Sequence, residues 1–355
     1  MSQRVLFSGY YGLGNAGDEA VLAASVGMFR ARRPELSLTV LSGSPAQTRE
    51  RLNVQAIPRM QPGAVFGQLG RTDLFLSGGG SLLQDATSLK SLLYYLLLLR
   101  MAQQRRIKTM VFAQGIGPLH RPAAQRLTAK VLSRVDAITV RDSDSADLLR
   151  RIGVSGPEIE VTADPVFALT PRVTDRVSSV APTPPAFAVA LRPWPGVEQI
   201  LDPLAEALGR FEGEVALQAW PLFLEQDLPI CEQLAARVPT MTVMRQSLDP
   251  AEWMALAGWT DAVVAMRLHG LIFAAARAVP IFGISYDPKV EALANRLRAP
   301  VVGTATSVDA AALRQGLEGI REEEDTRRRD REARAEHLRQ AAERNVERAL
   351  ELLRG

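Results

Sequence analysis

The stretch VLFSGYYGLGNAGDEA, Val5 to Ala20, sets the architecture. Val5 to Ser8 makes a short buried strand. Glycines at positions 9, 12, 14 and 17 follow, and an apolar helix is expected from Glu19 to Arg32. Glycines between a strand and a helix let a ligand approach the backbone, where helix N–H groups face an anion. Asp18 and Glu19 stand where a phosphate would sit, so a sugar hydroxyl suits this turn better than a pyrophosphate. Asp18 as a plain helix cap would explain the turn equally well.

Outward from this unit, strand and helix keep alternating. Strands are expected at Leu36–Leu41, Asp73–Ser77, Thr109–Gln114 and Ala137–Val140, with helices at Leu89–Gln104, Pro122–Ser133 and Ser143–Ile152. Such alternation means βαβ units and a mainly parallel sheet. Four prolines between Thr170 and Pro185 break the pattern and read as a linker. A second alternation runs from Phe187 to Ser285. The expected fold is α/β: two Rossmann-like, doubly wound domains, residues 1–170 and 186–320, joined by a linker at 171–185. The site is expected in the cleft between them, at the C-terminal strand ends. Residues 321–355 are expected to form an amphipathic helix docking back on the first domain. Leu338, Ala342, Val346, Ala349 and Leu353 recur at helical spacing, and ten acids balance ten bases from Arg321 to Arg354.

Composition removes several function classes. The 355 residues carry 47% apolar and 23% charged side chains, an ordinary globular balance. A net charge of +3 is too small a surplus to indicate a polyanion surface, so no nucleic-acid partner is expected. Of the 42 bases only Lys90, Lys108, Lys130 and Lys289 are lysines. The single cysteine, Cys231, excludes an intramolecular disulfide and a cysteine zinc site. His120, His269 and His337 lie far apart without metal-ligand spacing, so no metal is expected. The N-terminus does not read as a signal peptide. The run LLYYLLLL, Leu92 to Leu99, is shorter than the ~20 residues of a membrane span and reads as a buried helix face. A reducing, cytoplasmic setting follows.

Six further motifs can carry chemistry. SGGGSLLQD, Ser77 to Asp85, puts three glycines after a buried strand, a backbone N–H cradle, with Gln84 and Asp85 one turn on. AQGIGP, Ala113 to Pro118, is another strand and glycine loop, and Gln114 stands at its head. VRDSDSADLL places Arg141 at a strand's C-terminal end, where its fork suits a carboxylate or phosphate. A structural pair with Asp142 or Asp144 is the alternative. ADPVF adds Asp164 at a further strand end. AMRLHGLIFAAARAVP, Ala265 to Pro280, is the most informative: Arg267 and His269 alternate about Leu268, so both can point one way on an extended backbone. SYDPKVEAL then places Lys289 after another strand.

Taken together, GYYGLGNAGDEA, LFLSGGGSLLQD, AQGIGP, VRDSDSADLL, ADPVF and AMRLHGLIFAA with DPK behind it resemble the polysaccharide pyruvyl transferase family, CsaB type, across residues 4 to 290. The resemblance implies a GT-B-like fold. It implies transfer of the enolpyruvyl group of phosphoenolpyruvate to a sugar of a cell-wall polysaccharide precursor, releasing phosphate. The product would be a 4,6-linked pyruvate ketal on N-acetylmannosamine, of the kind that anchors surface-layer proteins. The donor is a substrate, and no cofactor is implied. Arg141, Arg267, Leu268, His269 and Lys289 would bind the donor. His269 and Asp18 would share the acid and base roles. Gly14, Asn15, Asp18, Gly79, Gly80, Ser81, Gln84, Asp85, Gln114 and Asp164 would contact the acceptor or shape its loops. A lipid-linked acceptor and peripheral contact with the inner membrane face fit the family; the oligomeric state stays open. The competing expectation is a GT-B glycosyltransferase or sugar-nucleotide epimerase using a UDP-sugar, with Glu252 or Glu291 gripping a ribose.

Overall fold

A computed structural model describes residues 2–86, 88–320 and 324–354. They form two compact units. The first holds residues up to Gly14, Asp18–Ala168 and those from Leu338 onward; the second holds Asn15–Gly17 and Leu169–His337.

In the first unit the strands are β1 (Arg4–Ser8), β2 (Ser37–Ser42), β3 (Gln55–Pro58), β4 (Leu74–Gly78), β5 (Lys108–Gln114), β6 (Ala137–Val140) and β7 (Ile159–Val161). The helices are α1 (Ala16–Arg32), α2 (Pro45–Leu52), α3 (Pro62–Leu69), α4 (Leu89–Gln104), α5 (Pro122–Leu132) and α6 (Ser143–Arg151). The sheet order is β3-β2-β1-β4-β5-β6-β7, and every pairing is parallel. β4 (LFLSG) and β6 (AITV) are buried throughout, because helices cover both faces. One face packs Leu6, Phe75 and Val111 against Val65 of α3, Leu92, Leu96 and Leu99 of α4 and Val131 of α5. The other packs Val5, Phe7 and Val40 against Leu22 and Phe29 of α1 and against Val346 and Ala349.

The second unit repeats the plan. Its strands are β8 (Ala186–Ala190), β9 (Ala216–Ala219), β10 (Thr242–Val243), β11 (Ala262–Ala265), β12 (Ile281–Ser285), β13 (Val301–Thr304) and β14 (Ser307–Val308). The order is β10-β9-β8-β11-β12-β13-β14, parallel except for β14 against β13. The helices are α7 (Asp175–Ser178), α8 (Leu201–Gly209), α9 (Leu224–Ala235), α10 (Pro250–Ala257), α11 (Leu268–Ala276), α12 (Pro288–Leu297) and α13 (Ala310–Glu318). In each unit the strand order reverses once, between β1 and β4 and between β8 and β11, and such switch points open a crevice at the C-terminal strand ends.

Several details differ from the sequence expectation. Residues 45–69, unassigned there, form α2, β3 and α3; α2 buries only Thr48, so it has almost no apolar periodicity. The proline-rich segment 171–185 groups with the second unit and is laced to it. Arg172 N–H donates to Ala251 O at 2.9 Å, and Thr174 caps α7 while donating to Glu252 at 2.7 Å. The C-terminal helix α14 spans Asp325–Arg354, and all five of its expected core residues are buried. Its part from Leu338 onward belongs to the first unit and Asp325–His337 to the second; residues 321–323 lie outside the described residues. Asn345, wholly buried, pins it: its amide donates to Ala163 O at 3.0 Å and its oxygen accepts from Thr162 at 2.7 Å.

Candidate active site

The first unit's switch point lies between the loops after β1 and β4. Gly12, Gly14 and Gly17 have the G-x-G-x-x-G spacing of dinucleotide turns, but the anion cradle is already filled. Glu19 Oε1 accepts from the N–H groups of Gly12 (2.7 Å) and Leu13 (3.2 Å). Burial pushes the Glu19 carboxyl above its ordinary range, and those N–H groups pull it back. α1 begins at Ala16, three residues earlier than expected, so Asp18 lies inside the first turn. Asn15 takes the capping place, its Oδ1 accepting from Gly17 N–H at 3.1 Å.

After β4, Gly79 (φ 98°) and Gly80 (φ 58°) both need the left-handed region. A side chain at Gly80 would come within 2.5 Å of the Asp18 carboxylate, and one at Gly79 within 2.8 Å of the Tyr11 hydroxyl. Gly80 is therefore in direct apposition to Asp18, and Gly79 to Tyr11. Gln114, at the end of β5, donates to Ser77 O (2.7 Å) and Oγ (2.9 Å). Its buried Oε1 has no hydrogen-bond donor among the described residues.

Arg141, at the end of β6, does not offer the open cationic fork expected of it. Its side chain is buried and donates to Ser81 Oγ (3.0 Å), Asp164 Oδ2 (3.4 Å) and Asp142 Oδ2 (3.4 Å). A Cβ at Gly115 would lie 2.6 Å from its Nη2, so the guanidinium rests flat on that glycine. Arg141 thus fastens three strand-end loops, with two carboxylates offsetting its charge. Asp85 also changes role. Its oxygens accept from the N–H groups of His120 (2.7 Å) and Arg121 (2.8 Å), at the start of α5. Burial alone would raise its carboxyl, but those two donors hold it below the ordinary range. The Asp85 carboxylate thereby holds the start of α5 to the loop after β4. Gln84 sits half-buried one residue before it.

The second unit's switch point gathers the cations. α11 starts at Leu268, so Arg267 is its N-cap and His269 lies in its first turn; the two do not alternate along a strand as expected. Arg267 donates through Nε to Asp227 Oδ2 at 2.9 Å and through Nη2 to Asp227 Oδ1. Asp227 is wholly buried and also accepts from Phe223 N–H at 2.9 Å. Burial pushes the Asp227 carboxyl up; Arg267, that N–H group and Arg192 pull it down. Arg267 is therefore a paired cation, and its fork is largely spent. Leu268 is buried.

His269 packs on Gly17. A methyl group at position 17 would sit 2.5 Å from the ring's Cγ and 2.8 Å from Cε1. Ala16 N–H donates to Leu222 O at 2.9 Å and fixes that short segment within the second unit. Lys289, at the start of α12, reaches Asp287 at 3.4 Å and stands 5.2 Å from the Tyr286 ring centroid.

Arg192 was missed from sequence. It follows β8 as Arg267 follows β11, on the other side of the switch point, and that placement was its available signal. Its Nη1 donates to the Tyr286 hydroxyl at 3.0 Å, and its guanidinium lies 4.7 Å from that ring and 5.2 Å from Trp194. Its buried Nε has no acceptor among the described residues. Burial would raise the Tyr286 phenol, yet Lys289 and Arg192 bring it below its ordinary value. The two acids weighed for a ribose are otherwise engaged. Glu252 closes a capping box with Asp249 and takes Thr174 and Arg176; Glu291 accepts from Ser285 Oγ at 2.7 Å.

The polysaccharide pyruvyl transferase family matches residues 15–288, and the chain belongs to it. No curated protein matches in sequence. Solved structures share the GT-B-like fold at low identity. UDP-GlcNAc 2-epimerase from Neisseria meningitidis, bound to UDP-GlcNAc, is 12% identical with a TM-score of 0.68, over 99% of this chain and 100% of that one. A glycosyltransferase from Rickettsia africae is 12% identical with a TM-score of 0.63, over 99% of each chain. Anabaena HepE in complex with UDP-glucose is 14% identical with a TM-score of 0.59, over 99% and 98%.

Proposed function

We propose that this transferase moves the enolpyruvyl group of phosphoenolpyruvate onto two hydroxyls of a cell-wall saccharide, as a ketal, and releases phosphate. The observation that carries this is the cation set at the second switch point: Arg192 with its open Nε, the Arg267-Leu268-His269 turn and Lys289. A donor bearing both a carboxylate and a phosphate calls for several cations at one place. The Asp18–Gly80 apposition in the first unit supports an acceptor role for that loop, since a carboxylate beside bare backbone suits a hydroxyl.

In the proposed reaction, Asp18 takes the proton of one sugar hydroxyl, whose oxygen bonds to C2 of the donor. His269 gives a proton to the methylene carbon, which becomes a methyl group. The second hydroxyl oxygen then bonds to C2 and the C–O bond to phosphate breaks. His269 recovers a proton from that hydroxyl, and the proton on Asp18 leaves with phosphate. Arg192 and Lys289 offset the leaving charge. The finer assignment is a lipid-linked N-acetylmannosamine acceptor, a 4,6-ketal and a part in surface-layer anchoring, in the cytoplasm.

Incubation with phosphoenolpyruvate and a panel of lipid-linked saccharides, read by phosphate release and mass spectrometry, tests this. A pyruvyl mass gain is expected. UDP release from a UDP-sugar, with no phosphate from phosphoenolpyruvate, would replace the proposal with the glycosyltransferase or epimerase alternative. His269→Ala should lose at least about a hundredfold in turnover with its fold retained; near wild-type turnover would remove the histidine from catalysis.

A further inference from the structure

Charge is segregated in the first unit. From Ala86 to Val135 the chain carries nine Lys or Arg and no Asp or Glu; from Val54 to Thr72 it carries two arginines and no acid. These stretches hold α3, α4 and α5, which cover the same face of the first sheet. Side chains join them: the Arg105 guanidinium lies 3.7 Å from the Phe66 ring centroid, and Gln103 donates to Val131 O at 2.9 Å. Acids from outside meet two of these cations, Asp136 near Lys108 at 3.8 Å and Asp85 near Arg121 at 4.0 Å. The whole-chain charge of +3 hides this concentration.

The same two stretches expose apolar side chains. Met60 (72% exposed), Phe66 (57%), Leu97 (56%), Leu93 (43%) and Leu89 (37%) are five of the eight exposed large apolar residues among those described. Leu89, Leu93 and Leu97 recur every four residues and make one stripe on α4, while Leu92, Leu96 and Leu99 are buried on the other side. The leucine-rich run is therefore only partly a core face. Lys90 and Arg100 share the outer stripe's side of the helix.

We propose that the α3–α5 face docks on an anionic lipid bilayer. Aliphatic tips suit the acyl boundary and the surrounding cations suit anionic headgroups. No described helix is long and apolar enough to cross a membrane, so the contact is peripheral. A second copy of the chain fits poorly, because a two-fold interface would set cations against cations. A nucleic acid would find stacking for its bases in Phe66 alone among the five exposed side chains. The docking stands apart from the pyruvyl-transfer proposal, and its test uses no substrate.

Full-length protein is sedimented with phosphatidylcholine vesicles, with or without about 30% phosphatidylglycerol, at ~0.1 M salt. Partition at least about tenfold higher onto the anionic vesicles is expected, and its loss at ~1 M salt. Leu93→Glu with Leu97→Glu should lower it a further tenfold or more, and so should Lys90→Glu with Arg100→Glu, with unchanged circular dichroism melts. Equal partition onto both vesicle types overturns the proposal, as does binding unchanged in both variants. A dimer that Leu97→Glu dissociates, without any vesicle binding, assigns the face to a second copy and equally overturns it.

Discussion

Replacing Gly17 with alanine should separate activity from stability. Gly17 lies within the first turn of α1, and no positive φ excludes a side chain there. On helix propensity alone the change would stabilise, by up to ~1 kcal/mol. Its cost lies in the imidazole it would strike. The new methyl would strike His269 Nδ1 closest of all and would stand 2.5 Å from Cγ, whereas ordinary contact begins near 3.4 Å, so the ring must retreat by more than ~0.9 Å. A misplacement near 1 Å costs on the order of a hundredfold in rate, or ~2.7 kcal/mol of barrier. Gly27→Ala is the matched control, in the same helix with nothing within 4 Å of its missing side chain. Phosphate release should fall about a hundredfold in Gly17→Ala and stay unchanged in Gly27→Ala. With three histidines in the chain, imidazole NMR gives a second readout independent of the reaction. Only the signal absent from His269→Ala should move. A Gly17→Ala protein with unshifted imidazole signals and full turnover would refute the packing argument and the catalytic role together.

Two further predictions concern the second unit. Asp227→Asn leaves the buried Arg267 cation without its carboxylate, a loss of about 3–5 kcal/mol that should lower the melting temperature by on the order of 10 °C; a shift under ~2 °C would show that the pair contributes little. Tyr286 should ionise ahead of Tyr11, Tyr94 and Tyr95, which burial pushes upward, in a phenolate absorbance step that Tyr286→Phe removes and Lys289→Met raises. Because folding lowers this phenol, its stabilising contribution is complete above the unfolded value near ~10 and is lost as pH falls through the lower folded value. Persistence of the early step unchanged in Lys289→Met would exclude that lysine as its cause.

The alternation of buried runs with helices was legible because parallel strands covered on both faces are continuously apolar, as in LFLSG and AVVA. α2 and α3 were not, because α2 buries a single threonine and α3 runs for only eight residues. Glycine loops pointed to the switch points, since each carries a backbone conformation or close approach that side chains forbid. What sequence could not show was where a charge is spent. Arg267 meets an aspartate forty residues away in the chain, and Asp85 meets two backbone donors thirty-five and thirty-six residues away. Neither separation leaves a local pattern.

The arginine excess acquires a physical meaning from these partners. A guanidinium is a rigid fork that bridges fixed acceptors with little further ordering, so it serves as an internal fastener. Arg141 ties strand-end loops, Arg267 holds Asp227, and Arg331 and Arg334 donate to the carbonyls of Ala278 and Leu297 at 2.8 Å each. Lysine has a flexible stem and a point charge, which suits an ion that arrives and leaves. Lys289 sits where such an ion is proposed, its nearby carboxylate at 3.4 Å, in looser contact than the bidentate Arg267 pair. Arg192 stands between the two uses, fixed by Tyr286 at one nitrogen and open at Nε. The second switch point thus combines a built-in cation, a half-committed one and a movable one. The proposed transfer calls for that gradation, because its cations must hold a trianionic donor and then release phosphate.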